Sequence, residues 1–211
     1  MEIRRLVTNI FEENTYIIWD AGSLEAAVVD PGMQRPQEMA DFVNFIRHSN
    51  LRLKYILLTH GHLDHTFGVE KVKEEFGLEI LGAEADEPLL AHRDDQARRF
   101  RLPCRLPPLR LDRKIADGHE LRLGSEKIIA LAAPGHSPGS LVYYVPESGF
   151  VLTGDVLFRM GIGRTDLPGG SQAQLLESIR TTLFTLPADT VVYPGHGPAT
   201  TIGAERLEVR G

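Results

Sequence analysis

The stretch Thr59-His60-Gly61-His62-Leu63-Asp64-His65 carries three imidazoles and one carboxylate within six consecutive positions. Histidine nitrogens and carboxylate oxygens are the ligands that zinc, iron and manganese accept in proteins. Donors packed this densely do not stabilise one another unless a cation lies among them. The stretch therefore predicts a metal site, and we interpret the chain as a metalloenzyme.

Metal-type residues follow apolar runs at four places in the chain. Each apolar run is followed by small or turn residues and then by a donor. The donors and their runs are His60 after 55–59, His136 after 128–132, Asp155 after 150–153 and His196 after 191–193. Because the strands of a sheet carry their ends to a common edge, donors far apart in sequence can meet there. A lone histidine at a strand end is usually solvated or hydrogen-bonded, but this recurrence together with the 60–65 cluster favours a metal site.

The composition is that of an ordinary globular protein, and it argues against several functional classes. The chain has 211 residues, 42% hydrophobic and 25% charged, with a formal net charge of -6. Without clustered Lys and Arg, no nucleic-acid partner is expected. No run approaches the roughly 20 apolar residues of a membrane span, and the N-terminus shows no signal peptide. The only cysteine, Cys104, excludes an internal disulfide. A cytoplasmic location without a membrane partner is therefore expected.

Apolar periodicity predicts an α/β protein. It indicates strands over 16–19, 25–30, 55–59, 78–82, 127–132, 140–145, 150–153 and 190–193, and helices over 37–48, 69–76 and 171–186. The first half alternates strand and helix, whereas the second half is mostly strands. This order predicts a four-layer αβ/βα sandwich, with two sheets face to face and helices outside, as a single domain over residues 1–211.

Several other polar residues are interpreted without a role at the metal site. His48, His92 and His119 lie among polar residues and are expected at the surface, and Cys104 is expected to be an ordinary thiol. Residues 83–115, called the arginine-rich segment below, are the least regular part and predict a lid or a surface excursion. Its arginines favour a solvated face, with attraction of an anionic substrate as the alternative: Arg93, Arg98, Arg99, Arg101, Arg105, Arg110 and Arg113.

The motifs together resemble those of the metallo-β-lactamase superfamily, in the order that the superfamily shows. The matching stretches are 59–65, Pro134-Gly135-His136-Ser137-Pro138-Gly139-Ser140, Thr153-Gly154-Asp155 and Pro194-Gly195-His196-Gly197-Pro198, joined by Asn14-Thr15-Tyr16 and Val29-Asp30-Pro31-Gly32. Within the superfamily the chain is most similar to the small single-domain hydrolases of the glyoxalase II (hydroxyacylglutathione hydrolase) type. The resemblance implies the metallo-β-lactamase fold. It assigns His60, His62 and His136 to a first metal and Asp64, His65 and His196 to a second, with Asp155 bridging both.

Two departures from full-length glyoxalase II concern the substrate. The chain ends 15 residues after His196, without the additional C-terminal helical region that helps to hold glutathione. The basic residue and tyrosine that the family has near Gly163 are here Gly163-Arg164-Thr165-Asp166, so only the basic residue is kept. Arg164 is therefore the expected substrate-binding residue. A true β-lactamase is not favoured, since Asp155 stands where those enzymes commonly have a cysteine ligand.

The resemblance implies a hydrolase that uses a hydroxide bridging two divalent metal ions. Zinc is the first expectation, with iron or manganese possible. Asp155 is expected to fix the spacing of the ions, and Asp64 to orient the hydroxide. The expected substrate is a small anionic thioester of the hydroxyacylglutathione type, because a thiolate with a pKa of about 8.5 leaves with little help from an acid.

Three other functions are also compatible with the sequence. Persulfide dioxygenases share the fold and the Gly163–Asp166 stretch, but use one iron held by two histidines and one aspartate. A lactone hydrolase would use the same two metals. A non-catalytic metal-binding protein is the least favoured, because an open donor set of this kind seldom serves structure alone.

Overall fold

The computed structural model describes residues 1–208 and contains two six-stranded sheets. The first sheet follows chain order: β1 (Glu2–Thr8), β2 (Glu13–Trp19), β3 (Glu25–Val29), β4 (Arg52–Leu57), β5 (Glu79–Gly82) and β6 (Arg113–Lys114). β1, β2 and β3 pair antiparallel, and β3 to β6 pair parallel. The parallel pairs need crossover connections, which the helices of this half supply.

The second half of the chain forms the other sheet and a small ribbon. Its strands are β7 (Glu120–Leu123), β8 (Glu126–Ala132), β9 (Leu141–Val145), β10 (Phe150–Gly154), β11 (Leu157–Phe158), β12 (Gly161–Ile162), β13 (Val191–Pro194) and β14 (Thr200–Thr201). The sheet order is β14-β13-β10-β9-β8-β7, and β11 pairs with β12 outside it. β10 and β13 are parallel, and the other pairs are antiparallel.

In the part of the chain that the structure describes, six α-helices accompany the sheets: α1 (Pro36–His48), α2 (Val69–Phe76), α3 (Glu87–Ala91), α4 (Arg93–Arg99), α5 (Gln172–Thr181) and α6 (Ile202–Glu208). Proline opens α1, where its missing N–H costs nothing, and Gly77 ends α2 with a φ of 66°. Within residues 1–208, no helix is long and apolar enough to cross a membrane.

Side chains alternate between the two faces of each strand, and the buried residues divide accordingly. In β2, Tyr16 and Ile18 join the core between the sheets, whereas Ile17 packs in the cluster that contains the α1 and α2 residues. On the second sheet, Val151 packs with Leu175 of α5. Helices therefore cover the outer face of both sheets, which confirms the predicted four-layer αβ/βα sandwich.

The predicted strands and helices are all present, with boundaries that shift by a few residues. The predicted helix over 171–186 is shorter, because α5 ends at Thr181 and a 3₁₀ turn, Leu183–Thr185, follows. The elements that were not predicted are β1, β6, β7, β11, β12, β14, α3, α4 and α6. β1 has mostly exposed or half-exposed side chains at the edge of its sheet, so its sequence carries no strong apolar signal.

The arginine-rich segment is more ordered than its sequence indicates. It contains α3 and α4, and Arg93 is fully buried. Arg93 forms an ion pair with Glu70 at 2.5 Å and donates to the carbonyls of Thr66 and Pro107 at 2.7 and 3.2 Å. The interpretation of all seven arginines as a solvated face is therefore wrong for Arg93. A buried guanidinium is stable here because a carboxylate and two carbonyls compensate its desolvation.

Candidate metal centre

The predicted donors lie at one edge of the two sheets. His60 follows β4, and the loop after it carries His62 and a 3₁₀ turn, Leu63–His65, that contains Asp64 and His65. His136, Asp155 and His196 follow β8, β10 and β13. Because these three strands run in the same direction within the second sheet, their ends bring the three donors together.

Glycine makes the approach of Asp155 possible. Gly154 has a φ of 49°, and a Cβ on it would overlap the Thr59 side chain. Gly195 lies so close to the Asp155 carboxylate that a Cβ there would overlap it as well. Gly154 needs glycine for its backbone conformation and its close contact, and Gly195 for its close contact, so both residues let their strand ends converge on the site.

Three buried histidines, called the histidine triad below, form the first donor group: His60, His62 and His136. The Nδ1 atom of His62 lies 2.9 Å from Nε2 of His136, and that atom lies 3.2 Å from Nε2 of His60. Their side chains are almost excluded from solvent, with residue exposures of 2 to 6%.

Asp64, His65 and His196, called the mixed group below, form the second donor group. Asp64 Oδ2 lies 3.3 Å from His196 Nε2 and 3.8 Å from His65 Nε2. His65 is fully buried, but the side chains of His196 and Asp64 keep 27% and 16% of their exposure. The mixed group is therefore the more open of the two.

The Asp155 carboxylate lies between the two groups. Its Oδ2 is 3.6 Å from Nε2 of His136 in the histidine triad and 3.7 Å from Nε2 of His196 in the mixed group. Its Oδ1 is 3.4 Å from Nε2 of His65. One carboxylate thus reaches donors of both groups.

Hydrogen bonds on the far side of the rings fix how the histidines face the centre. Nδ1 of His136 donates to the Arg164 carbonyl at 2.8 Å, and Nδ1 of His196 donates to the Phe11 carbonyl at 3.0 Å. Since a carbonyl can only accept, both rings carry their Nδ1 proton and turn Nε2 toward the other donors. Such outer partners set the tautomer of metal-binding histidines.

Asp30 has the same effect on His65 and, through Thr59, on His60. His65 Nδ1 donates to Asp30 Oδ2 at 2.9 Å, and the Thr59 hydroxyl donates to the same oxygen at 2.5 Å. The hydroxyl oxygen then accepts from His60 Nδ1 at 3.0 Å. Asp30 also lies near His60 and His65 in a third possible donor group. Because its oxygens already accept these hydrogen bonds and one from the Thr59 N–H, we interpret it as an orienting residue.

The donor set fits divalent cations. Nε2 of His65 and Oδ1 of Asp155 are buried and make no hydrogen bond within the described residues. In the histidine triad, the fixed tautomers turn the unprotonated nitrogens of His60 and His136 toward each other. Unpaired buried polar atoms are costly, and a cation bound among them would remove that cost. Imidazole and carboxylate suit zinc, iron and manganese.

The two groups differ in the protonation that the protein favours without a metal. Burial lowers the pKa of His60 well below its usual range, and burial and His136 lower the pKa of His62 to about 4. Burial also opposes a charge on His65, but Asp155, Asp64 and Asp30 outweigh it and raise the His65 pKa well above its usual value. The pKa of His196 is raised too, because the hydrogen bond to Asp64 and the charge of Asp155 outweigh burial.

The carboxylates of the centre are held in their charged form. Burial alone would raise the pKa of Asp155, but the nearby charges of His65, His196 and His136 lower it well below its usual value. The pKa of Asp64 is lowered in the same way, chiefly by His65 and His196. Both are therefore available as anionic ligands.

Sequence reasoning missed Asp86, which joins the two loops that carry the histidine triad. Its carboxylate accepts from the Gly61 N–H at 2.8 Å, the Ser137 hydroxyl at 2.7 Å and the Gly139 N–H at 2.6 Å. Gly61 lies between His60 and His62, and Ser137 follows His136. Asp86 thus fixes the distance between these loops. It stands in the arginine-rich segment without a motif of its own.

Glu13 is a second residue that the sequence did not indicate. It is fully buried beside His65, and its Oε2 accepts from the hydroxyls of Thr8 and Thr15 at 2.7 and 2.9 Å. Burial raises the pKa of Glu13 well above its usual value. A glutamate in a strand normally indicates a solvent-facing position, so no sequence signal pointed to this one.

The remaining predicted residues lie around the centre or away from it. Arg164 lines the cleft above the donors, but its exposed guanidinium makes two hydrogen bonds of 2.7 Å to Asp166. Its substrate-binding role stays a prediction. Within residues 1–208, His48, His92 and His119 belong to no donor group. Cys104 is half-buried, and burial raises the pKa of its thiol.

Comparison with known proteins places the chain in a family. The family model of the metallo-beta-lactamase superfamily matches residues 9–196. The chain is 40% identical to the hydroxyacylglutathione hydrolase GloC of Haemophilus influenzae over 208 residues, which cover 98% of this chain and 95% of that protein.

Three solved structures are similar over nearly the whole chain. The B3 metallo-beta-lactamase BLEG-1 is 31% identical with a TM-score of 0.88, covering 98% of this chain and 97% of the other. TTHA1623 in a di-iron-bound form is 35% identical with a TM-score of 0.84, covering 96% of each chain. ETHE1 from Myxococcus xanthus is 27% identical with a TM-score of 0.79, covering 99% of this chain and 83% of that one.

The chain belongs to the metallo-beta-lactamase superfamily and has its fold. More narrowly, it is a metallo-hydrolase of that superfamily, with hydroxyacylglutathione hydrolases among its relatives. The resemblance read from the motifs is thereby confirmed.

Proposed function

We propose that this protein hydrolyses thioesters of the hydroxyacylglutathione type at a centre of two divalent metal ions. The observation that carries the proposal is the position of Asp155, whose carboxylate lies within 3.4 to 3.7 Å of donors in both groups. A carboxylate shared in this way suits two neighbouring ions. The 40% identity to a hydroxyacylglutathione hydrolase supports the substrate class.

The histidine triad would hold one ion and the mixed group the other, with Asp155 shared. Zinc is the metal we propose first, with iron or manganese as alternatives, and the similarity to a di-iron-bound structure supports iron as a possible occupant. When bound, such ions supply Lewis acidity and bring the pKa of a nearby water toward neutrality.

The chain itself contributes positioning, charge and an apolar enclosure. Asp64 borders the cleft as a carboxylate and can accept a hydrogen bond from the attacking water, which orients it. The cleft has a volume of about 460 Å³, and its walls include Phe11, Phe100, Phe158 and Ile162. These side chains exclude bulk water and so strengthen the electrostatic interactions inside. The thiolate that leaves a thioester needs little help from an acid.

Arg164 is the residue that we propose for binding an anionic part of the substrate. It lies at the edge of the same cleft, and a guanidinium holds carboxylates with a fixed fork of donors. Its ion pair with Asp166 is exposed and therefore weak, so an incoming carboxylate can compete for the guanidinium.

A panel of reactions on metal-loaded protein tests the proposal. Protein loaded with zinc, iron or manganese is given a hydroxyacylglutathione thioester, a lactone, a β-lactam and glutathione persulfide with oxygen. Released thiol, ring opening and oxygen uptake are measured. We expect thioester hydrolysis to be the fastest reaction and to require the metal.

Each other outcome would replace the proposal with a specific alternative. Oxygen uptake with one iron per chain and no thioester hydrolysis would make the protein a persulfide dioxygenase. Faster opening of the lactone or the β-lactam would change the substrate class but keep the centre. Tight metal binding without any turnover would indicate a non-catalytic metal-binding protein.

A further inference from the structure

A second cavity, called the side pocket below, opens beside the metal cleft. It has a volume of about 500 Å³, within the range of small-molecule sites. The α3–α4 part of the arginine-rich segment forms one wall, and Pro138 and residues 167–169 form the other. Nothing in the proposed chemistry at the metal centre uses this cavity.

The side pocket is continuous with the metal cleft. His62, Phe100 and Leu167 line both cavities, and His62 is a member of the histidine triad. A molecule whose reactive bond lies at the metal centre can therefore place an attached group in the side pocket. The cavity is better suited to part of the substrate than to an independent ligand.

The lining is mainly apolar, and the polar side chains that border it are His92, Asp95, Gln96 and Arg99, in addition to His62. Ala85, Pro88 and Leu89 contribute apolar surface on the α3 side. The Gln96 amide accepts from the Leu63 N–H at 3.0 Å and donates to the carbonyls of Gly61 and Leu89 at 3.2 and 2.9 Å. Gln96 is thus engaged with the protein, and the mainly apolar surface of the pocket favours apolar groups.

The same hydrogen bonds hold the wall of the pocket in place. Gln96 of α4 ties the wall to the loop that carries His60 and His62. Arg93, fully buried one turn earlier, ties α4 to Glu70 and to the Thr66 carbonyl. A wall anchored at both positions is formed before the substrate arrives, so little binding free energy is lost in ordering it.

We propose that the side pocket binds an apolar group of the substrate, attached to the acyl or the thiol side of the thioester, and so selects thioesters larger than the smallest hydroxyacyl compounds. This inference rests on the proposed function. It assigns the α3–α4 part of the arginine-rich segment a role in specificity, through its apolar side chains.

Two series of thioesters test the inference and distinguish the two sides. One series lengthens the acyl chain on glutathione, and the other lengthens an alkyl thiol that carries a fixed hydroxyacyl group. We expect kcat/KM to rise by roughly two- to fourfold for each methylene that enters the pocket, in one of the two series. Binding of non-hydrolysable S-alkyl thioethers, measured by calorimetry, should increase with chain length in parallel.

Two variants with matched controls connect that selectivity to the pocket. Ala85→Phe narrows the pocket, and Leu89→Ala removes apolar contact from it. Both should weaken the dependence on chain length while leaving the rate on the shortest thioester unchanged. Ala21→Phe, in the exposed turn between β2 and β3, and Leu207→Ala, exposed on α6, make the same changes elsewhere and should have no effect.

The outcomes separate this inference from the proposed function. If no thioester is cleaved but thioether binding still depends on chain length and on Leu89, the proposed reaction is wrong and the side pocket is confirmed as a site for apolar groups. If thioesters are cleaved with no dependence on chain length in either series, or with a dependence that both pocket variants leave intact, the inference is wrong and the reaction stands.

Discussion

The histidine triad and the mixed group are a few ångströms apart, yet the protein surrounds them differently. The triad is almost fully buried, and the pKa values of His60 and His62 are lowered, so these ligands are already unprotonated. In the mixed group, Asp64 and His196 border the cleft, and the pKa values of His65 and His196 are raised. We expect the triad to hold its metal more tightly, and the mixed group to be the side that substrate and protons reach.

Asp155→Ala should have the largest effect, because it removes the carboxylate that both groups share. Loss of partners outside the ligand shell alone costs roughly 10- to 100-fold in metal affinity or activity, and loss of a shared ligand should cost more. Elemental analysis should show loss of metal, first from the mixed group, and turnover should nearly disappear. His119→Ala serves as the control. A folded Asp155→Ala protein with full metal and normal turnover would show that Asp155 does not link the two groups.

Lowering the pH should separate the two groups. A metal displaces the proton from a histidine ligand, so affinity falls as the pH drops through the pKa of that ligand. The raised pKa values of His65 and His196 make the affinity of the mixed group fall at a higher pH, whereas His62, with a pKa of about 4, stays unprotonated in the triad to a lower pH. Metal content after dialysis at stepwise lower pH should fall from two ions to one before it reaches zero. Simultaneous loss of both ions would contradict the difference between the groups.

Asp86→Ala should affect the triad more than the mixed group. It leaves the N–H groups of Gly61 and Gly139 and the Ser137 hydroxyl without their acceptor, and one unpaired buried group costs about 1 to 3 kcal/mol. We expect a lower unfolding temperature of the metal-free protein and weaker binding of the tighter ion. Calorimetric unfolding and zinc titration measure the two effects. Unchanged binding of the tighter ion, with only the stability reduced, would show that Asp86 supports the fold and not the triad.

Arg164→Ala should have the smallest effect, since the side chain is exposed and its hydrogen bonds go to Asp166. We expect both metals and the fold to be kept, while KM for an anionic thioester rises a few-fold and kcat changes less. Asp166→Ala frees the guanidinium and should leave KM unchanged or lower it. If both variants lower thermal stability and neither changes KM, Arg164 is only a partner for Asp166.

The sequence predicted the layers of the fold and the meeting of the seven donors at one edge of the sheets. It did so because apolar periodicity marks strands, and donors repeatedly follow strand ends. The residues that orient those donors were harder to predict. Asp86 acts through hydrogen bonds to residues that are distant in sequence, and Glu13 is buried beside His65, whereas polar residues of their type are usually exposed. The role of Arg93 and the α3–α4 wall depends on contacts across the fold that local sequence does not encode.

Titration of metal-free protein with zinc, while hydroxyacylglutathione hydrolysis is followed, shows whether the two unequal groups form one catalytic centre. We expect two equivalents per chain, a tighter and a weaker one, with most of the activity appearing as the second binds. Saturation at one equivalent, with full activity at that point, would mean that the two groups do not form a two-metal centre.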